Sequence, residues 1–316
     1  MGLSDRKAPD AAEYAGYRER FCNWGRWEDF RLGTLNLITP AVRARAAASV
    51  RAGMSVSLSR AIDTRPGPQN PFPAHHLRAV GDSGGIEDYL GLFIHGFAQT
   101  HIDALCHVGT LGGGRMWNDI PGDRFSPGAG GLGVEHWRDG IVTRGVLYDV
   151  PRLRGAGFVA PGEPVHGWEL ADAAASQNVE PRAGDAVIVR CGRDPLEAAL
   201  GASASGPDPH GSGLPAGLHA SCAEFLFETD AALLVWDLLD APTPDQGIPN
   251  TLPIETPLHL HQLLIPYMGM PLIDNVDLER LATACAAAGR WEFLFVAAPL
   301  VIDGGTGSPL NPIAVL

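Results

Sequence analysis

The residues of this 316-residue chain best suited to chemistry sit in one short window, HGFAQTHIDALCH at 95–107. Three of the 11 histidines fall inside it, together with Asp103. His101 and Asp103 are two residues apart, so on a strand they project from one face. His107 follows Asp103 by four, close enough to converge after one turn. Imidazole and carboxylate together suit Zn²⁺, Mn²⁺ or Fe²⁺, and the lack of clustered thiolates argues against a structural zinc finger. Such a site leaves positions open for water, whose pKa a bound Zn²⁺ lowers to about 7. Hydroxide is then available at neutral pH without an activated serine or cysteine.

The plainer alternative is a set of satisfied polar side chains on a buried strand. It loses ground because a second pair, His259 and His261, precedes a carboxylate at Asp274. On a helix His259 and His261 point to different faces, so at most one of them reaches the first cluster. Asp274 ends the apolar run GMPLID and suits a ligand role or the cap of a helix over 277–289.

Other motifs carry less. Gly81-Asp82-Ser83-Gly84-Gly85 spells the string around the nucleophile of trypsin-like proteases, but no disulfide framework accompanies it. The five cysteines, 22, 106, 191, 222 and 285, are odd in number and widely spaced. The glycine-rich GGTGSP at 304–309 lacks the lysine of a phosphate loop and reads as a tight turn. Cys106, inside the histidine window, reads as a small buried packing residue.

These residues need a frame. Helices are predicted over 10–22 and, after the start signal Thr39-Pro40, over 40–52. Residues 62–86 are dense in proline and glycine and read as a long irregular loop. Short apolar runs predict strands at 89–95, 97–103, 145–150, 186–191, 232–237, 271–275 and 292–300. Helices are predicted at 167–177, 194–201, 219–229, 259–268 and 277–289, and 202–217 reads as a surface loop or lid. Strand, helix, strand order from 186 onward implies βαβ units, hence an α/β fold. No composition shift separates two domains. The expectation is one large domain over 61–316, a mixed sheet with packed helices, carrying a helical extension over 1–60.

Composition bounds the partners. With 36 acidic against 23 basic residues the net charge is −13, which leaves no basic face for nucleic acid and no Lys/Arg cluster for an anionic bilayer. No apolar run is long enough to span a membrane and no apolar signal segment opens the sequence. With unpaired thiols, the expected location is the cytoplasm. Gly 39 and Pro 26 make up about a fifth of the chain, against about 12% on average. The excess concentrates around the candidate ligand strands and suggests an active-site rim.

THIDALCH at 100–107 followed by GRMWND at 114–119 resembles the metal-binding signature of the cyclase family, the metal-dependent hydrolases that include bacterial kynurenine formamidase and isatin hydrolase. NWGRWEDFRLGTLNLITP at 23–40, GDAVIVRCGR at 184–193, GLHASCAEFLFETDAALLVWD at 217–237, PLIDNVDLERLA at 271–282 and APLVIDGGTGSPLNPIAV at 298–315 resemble its longer, roughly 300-residue branch. Thr100, His101, Asp103 and His107 match the signature. Phe97 stands where the family has its first histidine and Gln99 where it has glycine; His95 is the nearest substitute.

The resemblance implies a swivelling β/α/β domain and metal-assisted hydrolysis of a small amide, formamide, lactam or ester, of an aromatic compound by preference. It implies one or two ions, zinc or manganese, held by His101 and Asp103 with His95, His261 (or His259) and Asp274. His107 then serves as general base or bridges a second metal. Phe97, Trp117, His219 and the 62–86 loop are the expected pocket walls, and a homo-oligomer, dimer or tetramer, is expected on family grounds. The alternatives are a lyase, cyclase or isomerase on the same fold, or a binding protein that has lost a ligand.

Overall fold

The computed structural model describes residues 6–110, 114–122, 131–205, 216–241 and 258–316. Helices α1 (Ala11–Arg20) and α2 (Pro40–Ala47) precede β1 (Ser55–Ser57). The paired strands β2 (His75–Val80) and β3 (Ile86–Gly91) come next, then β4 (His101–Asp103). The chain continues as β5 (Ile141–Asp149), α3 (Val150–Arg154), α4 (Gly167–Ser176), β6 (Ala186–Arg190), α5 (Arg193–Leu200), α6 (Cys222–Glu228) and β7 (Leu233–Trp236). It closes with α7 (His259–Leu263), β8 (Leu272–Asp274), α8 (Glu279–Ala288), β9 (Glu292–Ala297), β10 (Gly307–Pro309) and β11 (Ile313–Val315).

Helix ends follow local chemistry. Asp10 caps α1 with a reciprocal bond from the Asp10 backbone to Glu13, and the Thr39 side chain accepts the Val42 amide ahead of a proline at the start of α2. Asp277 accepts the Glu279 amide at 3.1 Å, and Gly289, at φ 59°, ends α8 in the left-handed conformation.

Nine strands form one mixed sheet in the order β1-β11-β9-β5-β6-β7-β8-β4-β10. Its centre, β5 to β8, is parallel, and both flanks are antiparallel. Alternation along the central strands sends side chains to two cores. Val187, Val189, Leu234, Trp236 and Leu272 pack with α1, α4, α6 and α7 on one face. Ile188, Val235, Ile273 and Ile102 pack with α2 and α8 on the other. The result is a single α/β domain covered by helices on both faces.

The central strands and most helices lie where the apolar runs place them. Three differences have physical causes. The segment 62–86 is not wholly irregular, because β2 pairs with β3 in full register from His75↔Gly91 to Val80↔Ile86. The trypsin-like string Gly81–Gly85 is its turn, closed by the Gly81 amide on the Gly85 carbonyl at 2.8 Å. Of the strand expected over 97–103 only His101–Asp103 is paired, since the carbonyls before it are taken by side chains. The three-residue strands β1, β10 and β11 are too short to show a period. β1, within the first 60 residues, pairs with β11 at the edge of the main sheet. Residues 206–215 of the expected 202–217 loop lie outside the described residues.

Candidate metal centre

Strand β4 is three residues long and paired on both sides. Its register sets His101 opposite Asp274 of β8 and Asp103 opposite Gly307 of β10. Ile102 is fully buried in the α2/α8 core, so His101, Asp103 and Asp274 all face the other layer. From that layer α7 brings His261, and His101, Asp103, Asp274 and His261 are all buried.

Two groups of ligand atoms result: His95, His101 and Asp103, and Asp103, His261 and Asp274, each with its atoms within 4.8 Å of one another. Asp103 belongs to both. The His101 Nδ1 donates to the Gln99 carbonyl at 2.8 Å, and the His261 Nδ1 donates to Asp240 Oδ2 at 2.6 Å. In each ring Nε2 is therefore the nitrogen that faces the carboxylates. His101 Nε2 stands 3.4 Å from Asp103 Oδ1 and 3.9 Å from Asp274 Oδ2. His261 Nε2 stands 3.2 Å from Asp274 Oδ2 and 3.5 Å from Asp103 Oδ2. Lone pairs facing buried carboxylate oxygens require a positive charge between them, a proton or a metal ion. Asp103 Oδ2 is buried and accepts no hydrogen bond. A divalent cation fits this donor set of imidazole nitrogens and carboxylate oxygens.

The titration behaviour follows. Burial lowers the proton affinity of His101, but Asp103 and Asp274 outweigh it and raise its pKa to about 8. His261 is raised in the same way, by Asp240 and Asp274 against burial. Burial alone would raise the Asp103 carboxyl; the surrounding His107, His101 and His95 hold it well below the usual range. His107 is the exception, for burial pushes it down to about 3, and Asp103 only partly offsets this. Its imidazole is neutral at pH 7, with Nε2 3.8 Å from Asp103 Oδ2 and its ring stacked on His95 at 3.6 Å.

His95 takes a place in the cluster that Phe97 does not. Its Nδ1 donates to Asp103 Oδ1 at 2.9 Å, and its Nε2 meets the Thr306 hydroxyl at 3.0 Å. It fits because Gly307 has no side chain: a Cβ there would lie 2.8 Å from the ring and 2.5 Å from the Ile102 carbonyl. The GGTGSP segment is thus more than a turn, for its second half is β10 and its threonine touches the centre. Phe97 is half-buried, its carbonyl accepting from Arg193 at 2.7 Å.

The expected pocket walls are placed differently. Trp117 is 1% exposed, donates to the Phe30 carbonyl at 2.6 Å and fills the space over Gly269, which makes it core rather than an open wall. His219 is fully buried, with Nδ1 3.1 Å from the Ser221 hydroxyl and its ring beside His166. Residues 62–65 and 67–70 line a cavity of about 600 Å³ with Arg60, Ala98 and Arg193, and no member of the two ligand groups lines it. His259 does not join either group; its ring lies 5.2 Å from Tyr14. The Cys106 thiol is buried and pushed up to about 12, so it is no nucleophile.

Besides Thr306, four residues not anticipated from sequence support the centre. Asp240 fixes His261. The Trp236 indole donates to Asp274 Oδ1. Asn275, at φ 56°, donates to the Gly96 and Gln99 carbonyls at 2.7 and 3.1 Å and accepts from buried Arg193 at 2.8 Å, while Arg193 also holds the Phe97 carbonyl. One amide and one guanidinium therefore shape the segment between His95 and His101. A signal existed for Asp240: in an open sheet, sites gather beyond the carboxyl ends of parallel strands, and DLLD at 237–240 follows β7.

The profile of the cyclase family matches residues 55–243. No curated protein matches the chain. Among solved structures, one described as a novel cyclase is 29% identical, with a TM-score of 0.76 over 95% of this chain and 99% of its own. An isatin hydrolase bound to the product analogue thioisatinate is 19% identical, with a TM-score of 0.56 over 83% of this chain and 92% of its own. Isatin hydrolase A from Labrenzia aggregata, bound to benzyl benzoate, is 17% identical, with a TM-score of 0.56 over 87% and 96%. The latter two share the fold. With its profile matched over more than half its length, this chain belongs to the cyclase family.

Proposed function

We propose that this protein is a metal-dependent hydrolase of a small amide, formamide, lactam or ester, preferably aromatic, with zinc or manganese as its ion. The observation that carries the reading is Asp103 Oδ2, a buried carboxylate oxygen without a donor, set between His261 Nε2 at 3.5 Å and His107 Nε2 at 3.8 Å. His101, Asp103, His261 and Asp274 would hold the ion, with His95 on the near side of Asp103. A divalent ion there supplies Lewis acidity toward a carbonyl and lowers the pKa of water.

The chain's own residues do the rest. Neutral His107 accepts the proton of the attacking water and can return it to the leaving nitrogen or oxygen. Asp240 and the Gln99 carbonyl hold the His261 and His101 rings with Nε2 inward. Shared fold with isatin hydrolases, whose named substrate is isatin, supports starting the search with aromatic lactams.

The test is an activity screen over N-formyl aromatics, lactams and aryl esters, with zinc or manganese added. Turnover that disappears on chelation and returns with metal is expected. Incorporation of ¹⁸O from labelled water into product separates hydrolysis from a lyase or isomerase reaction on the same site. A purified protein that neither binds these metals nor turns over any member of the panel with them removes the reading.

A further inference from the structure

The cavity of about 600 Å³ over residues 59–70 is of the size that small-molecule sites have, and no member of the two ligand groups lines it. Arg193, at the start of α5, follows β6, and Asp277 follows β8. The cavity therefore lies beyond the carboxyl ends of the parallel strands, where ligands gather in open sheets. Its wall is tied down. Buried Asn70 donates to the Asp63 and Arg65 carbonyls at 3.0 and 2.9 Å, which closes the loop on itself. The Asp63 amide donates to Gln99 Oε1 at 3.4 Å, and Gln99 Nε2 donates to the Asp63 carbonyl at 3.2 Å. The Arg60 amide donates to the Thr100 hydroxyl at 3.0 Å. These bonds form the cavity without help from a ligand.

The lining specifies the ligand. Two of its residues carry a buried polar atom without a partner, the donor Arg60 Nε and the acceptor Gln69 Oε1. Each costs free energy while it stays unpaired. The charges on the wall balance, Arg60, Arg65 and Arg193 against Asp63, Glu197 and Asp277. Each guanidinium also has a carboxylate already: Arg60 pairs with Asp194 at 2.7 Å, Arg193 with Glu197 at 2.7 Å and Arg65 with Asp63 at 3.2 Å. A ligand of one sign gains from half of this wall and is repelled by the other half, whereas a zwitterion uses both. The apolar part of the wall is Ala61, Ile62, Pro68, Ala98 and Ala202, and among the described residues no aromatic ring lines the cavity. That suits a short aliphatic side chain and not the aromatic compounds expected at the metal centre.

We propose that this cavity is a second ligand site, separate from the metal centre, for an aliphatic α-amino acid. The carboxylate of the amino acid accepts from Arg60 Nε, a charge-assisted bond, and Arg193 adds attraction from the same wall. The ammonium donates to Gln69 Oε1, with Glu197 and Asp277 as the nearby negative charges. Both orphan atoms are thereby satisfied, and the site needs no ion.

Titration calorimetry of the full chain with L-valine and L-leucine, both metal-loaded and stripped by a chelator, tests this. At least one of the two should bind with a Kd below about 1 mM, and equally well with and without metal. Isocaproate and isoamylamine, which each lack one charge of leucine, should bind at least about 10-fold more weakly. Arg60→Gln should weaken amino-acid binding by about 10–100-fold, the worth of a hydrogen bond to a charged group. Should that variant fail to fold, Gln69→Met, which removes the orphan acceptor from a loop, should weaken it by about 2–10-fold. Four results overturn the proposal. They are binding of neither amino acid, binding that needs the metal and so reports chelation at the centre, a one-charge fragment that binds as well as leucine, and unchanged affinity in the folded variant.

Discussion

Asp240 Oδ2 lies 2.6 Å from Nδ1 of His261, and this contact decides which nitrogen of that ring faces Asp103 and Asp274. Asp240 also accepts the Leu260 amide, so it fixes both the ring and the start of α7. Asp240→Ala should lower zinc or manganese affinity by about 10–100-fold. Titration calorimetry checks this, and Asp240→Asn, which keeps an acceptor oxygen, should recover part of the loss. Unchanged affinity in a folded Asp240→Ala protein would show that His261 needs no such partner.

Asp103 and His107 should separate by phenotype. Asp103→Ala removes the carboxylate common to both ligand groups and should abolish metal binding and turnover together. His107→Ala should keep its metal content and lower kcat by about 10²–10⁴-fold, the usual range for a lost general base. Metal analysis alongside steady-state kinetics reads both. Near-normal turnover in His107→Ala removes it from the mechanism.

Gly307→Ala tests the close approach of β10 to His95. The added methyl meets backbone and ring at 2.5 and 2.8 Å, and only the ring can move. A loss of about 1–3 kcal/mol is expected from overpacking, read by chemical denaturation. A metal titration of the same variant should show weakened binding even where the fold survives, because the displaced ring no longer bonds Asp103.

Stability should also depend on pH through His166, away from the centre. Burial lowers its pKa to about 4, below the ordinary 6.5. The unfolded chain therefore takes up the proton first as the pH falls. Its contribution is fully present above about pH 6.5 and is lost progressively between 6.5 and 4. Denaturation midpoints at pH 7.5 and 5 should diverge more for the unaltered chain than for His166→Gln; equal divergence assigns the slope to other groups.

The sequence makes some of this legible and hides the rest for a physical reason. His101, Asp103 and His107 lie within seven residues of each other, so strand alternation and one turn bring them together without tertiary information. The parallel strands announce themselves as apolar runs, because burial on both faces leaves no room for polar alternation. Asp240, Asn275, Arg193 and Thr306 act only through closeness made by the fold. No spacing along the chain connects Asn275 with Gly96 or Thr306 with His95. The hairpin was obscured because its proline-rich approach and glycine turn outweigh two six-residue strands whose apolar residues alternate on no single face.

The sharing of Asp103 has a thermodynamic consequence. One carboxylate cannot offer its full charge twice, so an ion taken by either group lowers the attraction left for the other. By reciprocity, each must oppose the other to the same degree. Were both groups to take an ion, the centre would fill in two steps of unequal affinity, and a metal titration of the purified chain would show two transitions rather than one.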